Sequence, residues 1–281
     1  SLHCILTYYL SQRKRIYAAF LDYKKAFDLV DRGHLWTKLL EQGVSGKVLR
    51  VVQSIYANAK SCVRVGRNLS DLFISNVGVR QGENLSPLLF SLFINDFCDV
   101  FKDAYDGLSG ITEELRSKFD VFLSLYVLLY ADDTLIMTEN EGDLQVALNL
   151  AYQYCNKWNI TVNPQKSKIV VFSRGKIRKL PSFHFNHEPL QVVFDFSYLG
   201  VCLNYNNNFK KAKLKQVNQA RRAVQSLKAK INNLDLPFDI QWHLFNMSVA
   251  PILLYGSEVC VFESCEVIDV FQRRFLRGQL R

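Results

Sequence analysis

The chain has 281 residues, 49% of them hydrophobic and 22% charged, about two domains' worth of chain at roughly 150 residues each and too apolar for a disordered one. Six prolines and thirteen glycines exclude a collagen-like or linker-like chain. Thirty-five Lys and Arg against 26 Asp and Glu give a formal charge of +9, and that charge is distributed unevenly.

In chain order, Ile16–Leu21 is an apolar run suited to a buried strand, and Leu35, Leu39, Leu40, Val48, Val51, Val52 and Ile55 give residues 32–57 a helical period. Ser61–Val65 and Leu72–Val77 alternate like the arms of a hairpin around Gly66-Arg67-Asn68. Ser86-Pro87 opens an apolar helix running through Phe97, with proline acceptable in the first turn. Val121–Ala131 and Thr134–Thr138 are β-prone arms on either side of Asp132-Asp133, which reads as a tight hairpin. Residues 142–158 read as a helix, 168–173 as a strand and 192–203 as further short strands. From Phe209 onward the pattern is helical, with one apolar stripe through Leu214, Val217, Val224, Leu227 and Ile231. An α+β body is therefore expected over residues 1–205 and a basic helical region over 206–281.

No run reaches the ~20 apolar residues of a membrane span, and the start shows no charged-then-apolar leader. The charge-free run Ile240–Ser257 carries Gln241, His243, Asn246 and Pro251, which suits a buried helix. These features point to a soluble globular protein. Seven cysteines, an odd number without a CxxC pair, make neither a disulfide framework nor a zinc site; reduced core thiols are expected. The five histidines form no ligand spacing, with His184 and His187 expected on a loop and Trp158 and Trp242 as core anchors.

Residues 99–143 hold eleven acids and three bases, whereas residues 164–230 hold fourteen bases and two acids, Glu188 and Asp195. An acidic centre followed by a basic C-terminal part suggests a cation site and a polyanion partner, although charge runs are commonly no more than solvated faces.

Three constellations carry possible chemistry. In the first, Leu21-Asp22-Tyr23-Lys24-Lys25-Ala26-Phe27-Asp28, an acid ends an apolar strand; it is costly to desolvate unless a cation meets it, or it caps the next helix. The second is Tyr130-Ala131-Asp132-Asp133-Thr134, where adjacent carboxylates repel each other by a few kcal/mol at ~4 Å and an effective dielectric near ~20. A solvated turn avoids that cost; so do divalent cations shared with Asp22 across a sheet. The third, Gly78-Val79-Arg80-Gln81-Gly82-Glu83-Asn84-Leu85-Ser86-Pro87, is a loop with two glycines leading into a helix, where backbone can approach a phosphate or base edge.

Together and in this order, the three resemble a reverse transcriptase of the LINE-type (non-LTR) retrotransposon class. Leu-Asp-Tyr-Lys-Lys-Ala-Phe-Asp is similar to motif A, Arg-Gln-Gly-Glu-Asn-Leu-Ser-Pro to motif B and Tyr-Ala-Asp-Asp to motif C. Asn163-Pro-Gln-Lys166-Ser-Lys resembles motif D and Tyr198-Leu199-Gly200 the primer-grip motif E. Ala250-Pro-Ile-Leu-Leu-Tyr-Gly256 and Phe271-Gln-Arg-Arg-Phe-Leu-Arg277 are similar to LINE thumb sequences.

The resemblance implies a polymerase palm, an antiparallel sheet packed on helices with a remnant of the fingers, over residues 1–205, followed by a mostly helical thumb over 206–281. It implies RNA-directed DNA polymerase activity: a primer 3′-OH attacks the α-phosphorus of a dNTP under two-metal catalysis. Asp22 and Asp132 would hold two Mg²⁺ ions, Mn²⁺ being a possible substitute, with Asp133 in support and the Tyr23 carbonyl as a further ligand. Phe27, next to Ala26 in the nucleotide pocket, would be the gate against a ribose 2′-OH; Gln81 and Gly82 would line that pocket. Lys166 would protonate or neutralise the leaving pyrophosphate, a role Lys168 could also fill. Lys210, Lys211, Lys213, Lys215, Arg221 and Arg222 would grip the RNA–DNA duplex without sequence preference.

The implied partners are an RNA template, a DNA primer and dNTPs, with no membrane, an endonuclease domain elsewhere in a longer protein, and a nuclear and cytoplasmic ribonucleoprotein location. Only 21 residues precede Asp22, so most of the fingers region is expected to be missing; Glu83-Asn84 stands where many relatives have Cys-Pro. A truncated or catalytically inactive module that only binds nucleic acid is the alternative. An RNA-directed RNA polymerase is disfavoured by Phe27 and by Ala131, and a nucleotide cyclase has no use for motif B or a basic thumb.

Overall fold

The computed structural model describes residues 2–44, 46–57, 59–80, 82–101, 127–130, 133–177, 179–231, 236–260 and 265–279. They fall into two compact units. One comprises Lys14–Val171 and Ile177–Val193; the other comprises Ser1–Arg13, Phe172–Lys176 and Phe194–Arg281. On this division the C-terminal unit begins at Phe194 rather than near residue 206, and it takes in the first helix.

The larger unit is built on a six-stranded sheet. Its strands are β1 (Ile16–Leu21), β6 (Val127–Tyr130), β7 (Asp133–Thr138), β8 (Lys168–Phe172), β9 (Phe183–Phe185) and β10 (Glu188–Val192), in the spatial order β6-β7-β1-β8-β10-β9. β1 pairs antiparallel with β7, Tyr17 facing Thr138 and Leu21 facing Thr134. All six residues of β1 are buried, as an uninterrupted apolar run requires. Helices α2 (Arg32–Glu41), α3 (Gly46–Ala57), α4 (Leu85–Phe93) and α5 (Glu141–Lys157) supply the rest of its core. Tyr17, Ala19, Leu21 and Tyr23 join that core, so period-2 alternation turns Asp22 to the opposite face.

The helical period over residues 32–57 is split. Gly43, at φ +84°, ends α2 through a left-handed residue, and α3 restarts the count. Leu35, Leu39, Leu49 and Val52 are buried, whereas Leu40, Val48, Val51 and Ile55 are exposed. The expected hairpin forms as two short ladders, Lys60–Ser61 (β2) with Phe73–Ile74 (β5) and Arg64–Val65 (β3) with Asn68–Leu69 (β4). It is an outlying ribbon with Val65, Leu69 and Ile74 exposed. The apolar helix after Ser86-Pro87 stops at Phe93 and continues as a 3-10 turn over Asn95–Phe101. Residues 121–126, part of an expected strand arm, lie outside the described residues.

Two cations, Arg32 half-buried and Lys38 buried, organise the helices. The Arg32 guanidinium donates to four backbone carbonyls, those of Gly78 (2.9 Å), Tyr56 (3.1 Å), Ser75 (2.7 Å) and Val77 (3.2 Å). One side chain thereby ties the end of α3 to the segment entering the Gly78–Gly82 loop. The Lys38 ammonium, 1% exposed, bonds Asp96 and the Tyr154 hydroxyl. It also lies 4.1 Å from the Trp158 ring centroid and 4.5 Å from that of Tyr154, an aromatic cage that offsets part of its desolvation. Burial lowers the Lys38 pKa and Asp96 opposes that shift.

The smaller unit holds α1 (Leu2–Ser11), the hairpin β11 (Asp195–Tyr198) and β12 (Val201–Asn204), and α6 (Lys210–Ile231), α7 (Phe238–Ser248), α8 (Ala250–Leu254), α9 (Ser257–Cys260) and α10 (Glu266–Gln279). Its core centres on Val217, Ala220, Phe245, Val249 and Leu253, with Phe245 stacked on Phe275 at 4.2 Å. The expected stripe of α6 holds in part: Val217 is buried and Val224 packs against the core, but Leu214 is 50% exposed, and Ala212, Lys213 and Ala220 are the other residues that face inward. Alanines let neighbouring elements approach closely, and they carry too little apolar surface to register in a periodicity count. The charge-free run 240–257 is cut into α7, α8 and a turn at Tyr255-Gly256. Of the six cysteines whose side chains are described, only Cys155 is fully buried; Cys4 and Cys62 are exposed. His184 lies in β9 rather than a loop, its N–H donating to Gln145 Oε1 at 3.0 Å.

Burial pushes the Cys155 thiol from 9.0 up to about 12. The stabilisation from keeping it neutral is fully present below the unfolded-state value and is lost as pH rises through the folded one. Iodoacetamide at mildly alkaline pH is expected to label Cys4 and Cys62 in the native chain and to spare Cys155 until denaturant is added; native labelling of Cys155 would contradict its burial. Arg32→Lys keeps the charge but loses the planar fork. It should lower the unfolding free energy by about 2 kcal/mol, seen as a lower urea midpoint at constant m-value; an unmoved midpoint would show that the four carbonyls do not depend on Arg32.

Candidate active site

Asp22 follows the last residue of β1, and the register of β1 with β7 sets Leu21 opposite Thr134. The ladder ends there, so Asp22, just past β1, and Asp133, the first residue of β7, each adjoin its last pair, and continuing the register by one residue would set them opposite each other. Directly facing residues share one side of a sheet with Cβ atoms about 4.5–5.5 Å apart. Tyr130 pairs with Asp133; Ala131 and Asp132 between them lie outside the described residues, as does Gln81.

The chain around Asp22 is laced to the segment that resembles motif D. Lys24 N–H donates to Thr161 O (2.8 Å), Asn163 N–H to Asp22 O (2.7 Å) and Asp22 N–H to Ser167 Oγ (3.0 Å). Tyr23 and Val162 form the bridge between these bonds. Strand alternation then turns the Tyr23 carbonyl away from that segment. The Tyr23 ring goes into the core, where its hydroxyl accepts from Thr134 Oγ1 at 3.0 Å and burial raises its pKa far above the ordinary tyrosine range.

Lys166 Nζ lies 4.0 Å from Asp22 Oδ2, an ion pair with both side chains well exposed and hence of little stabilising weight. Lys168 Nζ instead donates to the carbonyl of Gln165. The geometry thus separates two lysines that the sequence left as alternatives.

On its other side the same segment is laced to the loop that resembles motif B. Val79 N–H donates to Phe27 O (2.8 Å) and Gly78 N–H to Val30 O (2.9 Å). Gly78 has φ +81°, and a Cβ there would sit 2.5 Å from the Asp28 carbonyl oxygen, so only glycine permits this approach. The Phe27 ring is half-buried and meets Phe90 at 5.0 Å, with Ala26 half-buried beside it. Gly82 has φ +88° and open space where a Cβ would be. Asp22, Ala26, Phe27, Asp133, Lys166 and the Gly82 loop are thus all carried by the larger unit.

The remaining candidates belong to the smaller unit. Leu199 (φ +47°) and Gly200 (φ +78°) form the two-residue turn between β11 and β12, with Tyr198 paired to Val201 across it, the type I′ geometry of a tight hairpin. The six cations of α6 do not act alike. Lys213 is 2% exposed and turned inward, which removes it from a solvated basic face. Lys211 pairs with Asp195, and Lys215 Nζ reaches Ser197 Oγ at 3.2 Å. Partial burial raises the Asp195 pKa, but hydrogen bonds from Lys211 and Asn204 outweigh it and hold the carboxyl below its usual range. Arg221 donates to Asn218 at 3.2 Å; Lys210 and Arg222 are exposed.

Sequence reasoning passed over Ser167 although it sits inside the quoted motif. No local signal marks it, because the backbone N–H that it accepts from belongs to Asp22, 145 residues away. Arg32 gave no signal, because its four acceptors come from segments 24 to 46 residues away.

The sequence pattern of the family described as reverse transcriptase (RNA-dependent DNA polymerase) matches residues 2–203. The RNA-directed DNA polymerase from mobile element jockey of Drosophila funebris is 26% identical over 272 residues, 92% of this chain and 28% of that protein. A Pol polyprotein from the type-1 retrotransposable element R2 of Popillia japonica is 25% identical over 249 residues, 85% of this chain and 38% of that protein. The structure of telomerase from Candida albicans, solved with a fragment of telomeric RNA, aligns at a TM-score of 0.47 and 13% identity, over 97% of this chain and 51% of that one. The chain spans well under half the length of the two sequence relatives. With motifs A to D all inside the matched residues, this chain belongs to the reverse transcriptase family, in its LINE-type (non-LTR) branch.

Proposed function

We propose that this chain is an RNA-directed DNA polymerase that extends a DNA primer on an RNA template with dNTPs. The observation that carries the reading is the β1–β7 register, whose last pair, Leu21 with Thr134, adjoins both Asp22 and Asp133, within a chain of this family. Two carboxylates and the Tyr23 carbonyl form a set of hard oxygen donors suited to Mg²⁺, with Mn²⁺ as a substitute; Asp132 would complete the set. When bound, such ions supply charge stabilisation at the transferred phosphoryl group.

The chain's own residues position and select. Phe27, fixed by Val79 on its carbonyl and Phe90 on its ring, stands where a ribose 2′-OH would be refused. Gln81 and Gly82 would serve the same nucleotide, as the family resemblance implies. Lys166, within reach of Asp22, meets the charge of the leaving pyrophosphate. The turn Tyr198-Leu199-Gly200 holds the primer end, and Lys210, Arg221 and Arg222 attract the duplex backbone, with Lys211 and Lys215 contributing field from their places against the hairpin. Among the described residues no helix is long and apolar enough to cross a membrane. An endonuclease domain in the longer protein, and work as a nuclear and cytoplasmic ribonucleoprotein, complete the proposal.

The test is dNTP incorporation on an RNA template with a DNA primer and Mg²⁺. The Asp22→Asn chain and the Asp132→Asn/Asp133→Asn chain are expected to lose roughly 10²–10³-fold in rate, the scale of one lost transition-state stabiliser. Duplex binding without incorporation by the parent would instead indicate a silent nucleic-acid-binding module. Phe27→Val should narrow the preference for dNTPs over rNTPs by about tenfold or more in kcat/KM; an unchanged ratio would remove Phe27 from the gate.

A further inference from the structure

The hairpin turn at Leu199-Gly200 and the turn at Tyr255-Gly256 interlock within the smaller unit. Tyr255 closes α8 with φ −62° and ψ 123°, and Gly256 follows at φ +68°, the geometry of a type II turn with glycine at its third position. The Tyr255 hydroxyl donates to the Leu199 carbonyl at 2.7 Å. The Tyr255 ring lies so close to Gly200 that a Cβ there would meet Cε1 at 2.9 Å, and a Cβ on Gly256 would meet Val201 Cγ2 at 2.8 Å. Each turn is thus admitted by a glycine in the other. The Gln216 side-chain amide on α6 donates to the Tyr255 carbonyl and holds the clasp from behind.

The hairpin needs such a hold. Leu199 is a non-glycine residue at positive φ, a conformation that persists only where its surroundings over-determine it. A cavity of about 440 Å³, lined by Val201, Cys202, Ala212, Lys215 and Ile252 among others, lies against β12. Packing on that side of the hairpin is open, and the Tyr255 hydroxyl and ring hold its tip while Lys211 and Lys215 tether β11.

We infer that Tyr255 is a positioning residue for the primer terminus: its hydroxyl fixes the Leu199 carbonyl and its ring sets how far the turn projects. This rests on the reading of Tyr198-Leu199-Gly200 as the primer-holding turn. Tyr255→Phe removes the hydroxyl and keeps the ring. The 281-residue chain would be given an RNA–DNA duplex with 2-aminopurine at the DNA 3′ end, and a second duplex with the probe at an internal position.

Losing one hydrogen bond predicts about fivefold weaker holding of the terminus and a similar rise in KM for primer–template. The dNTP KM, the internal probe and the melting temperature should stay as in the parent. Gly200→Ala, which presses on the ring from the other side, should release the terminal probe too. A Tyr255→Phe chain equal to the parent at the terminal probe overturns the inference and leaves the polymerase reading standing. Loss at both probes together with a lower melting temperature also overturns it, since Tyr255 then acts only on folding. A parent chain that binds neither duplex overturns both readings, before any variant is made.

Discussion

The segment from Asp22 to Val30 has its backbone hydrogen-bonded on two sides at once, and the rest of the larger unit is arranged around that fact. On one side Thr161, Asn163 and Ser167 take up or supply the polar groups of Asp22 and Lys24; on the other, Gly78 and Val79 do so for Val30 and Phe27. A carboxylate emerging from a buried strand is tenable when its backbone is fully paired and its side chain can reach solvent or a cation. Asp22 meets both conditions, with its backbone pinned and its carboxylate 42% exposed. The lacing also explains why three stretches separated by some 140 residues in the chain form one constellation. Position is conveyed mainly through backbone bonds, with a side-chain requirement at Ser167, which accepts from Asp22, and at Gly78, where no Cβ fits.

The basic character of the C-terminal part resolves into distinct roles. A charge count sees one run of lysines and arginines; the helix sorts them by angle. Lys213 is drawn inward, Lys211 and Lys215 are spent on the hairpin, and Lys210 and Arg222 remain on the surface. Tethering by Lys211 and Lys215 holds β11 from the side, as Tyr255 does at the tip. So part of what looks like a polyanion surface in the sequence is also internal scaffolding for the hairpin.

Elements with strong local signals were legible in the sequence. β1 carries six apolar residues in a row, and α5 begins at Asn140, which caps Asp143 N–H as its residue type suggests; both stand where expected. The α+β class was legible as well. What escaped depends on partners distant in sequence. The break at Gly43 was hidden by apolar spacing that continues across it, and β9 and β10 were missed because three- and five-residue strands leave too short an alternation. The face of α6 was read only in part, through Val217 and Val224, because alanines and the stem of a buried lysine form the rest of the contact. At the site, Asp22, Phe27, Asp133 and Lys166 were readable as residue types in a spacing. The bonds that hold them in place were not, since Ser167 and Val79 look like ordinary loop residues until the chain is folded.

The ribbon spanning residues 60–74 is closed at its neck by Ser75 N–H on Ala59 O at 2.8 Å and by the Arg32 guanidinium on Tyr56, Ser75 and Val77. Beyond that neck the ladders are two residues each and the side chains largely face water. A loop whose ends are already fixed gains or loses length at small entropic expense, since closure scales only with the logarithm of loop size. The ribbon is consequently a place where evolution can splice, trim or recolour the surface, and where the tip can open and reclose on its own, while the neck shields Gly78 and the segment it abuts from whatever happens outside.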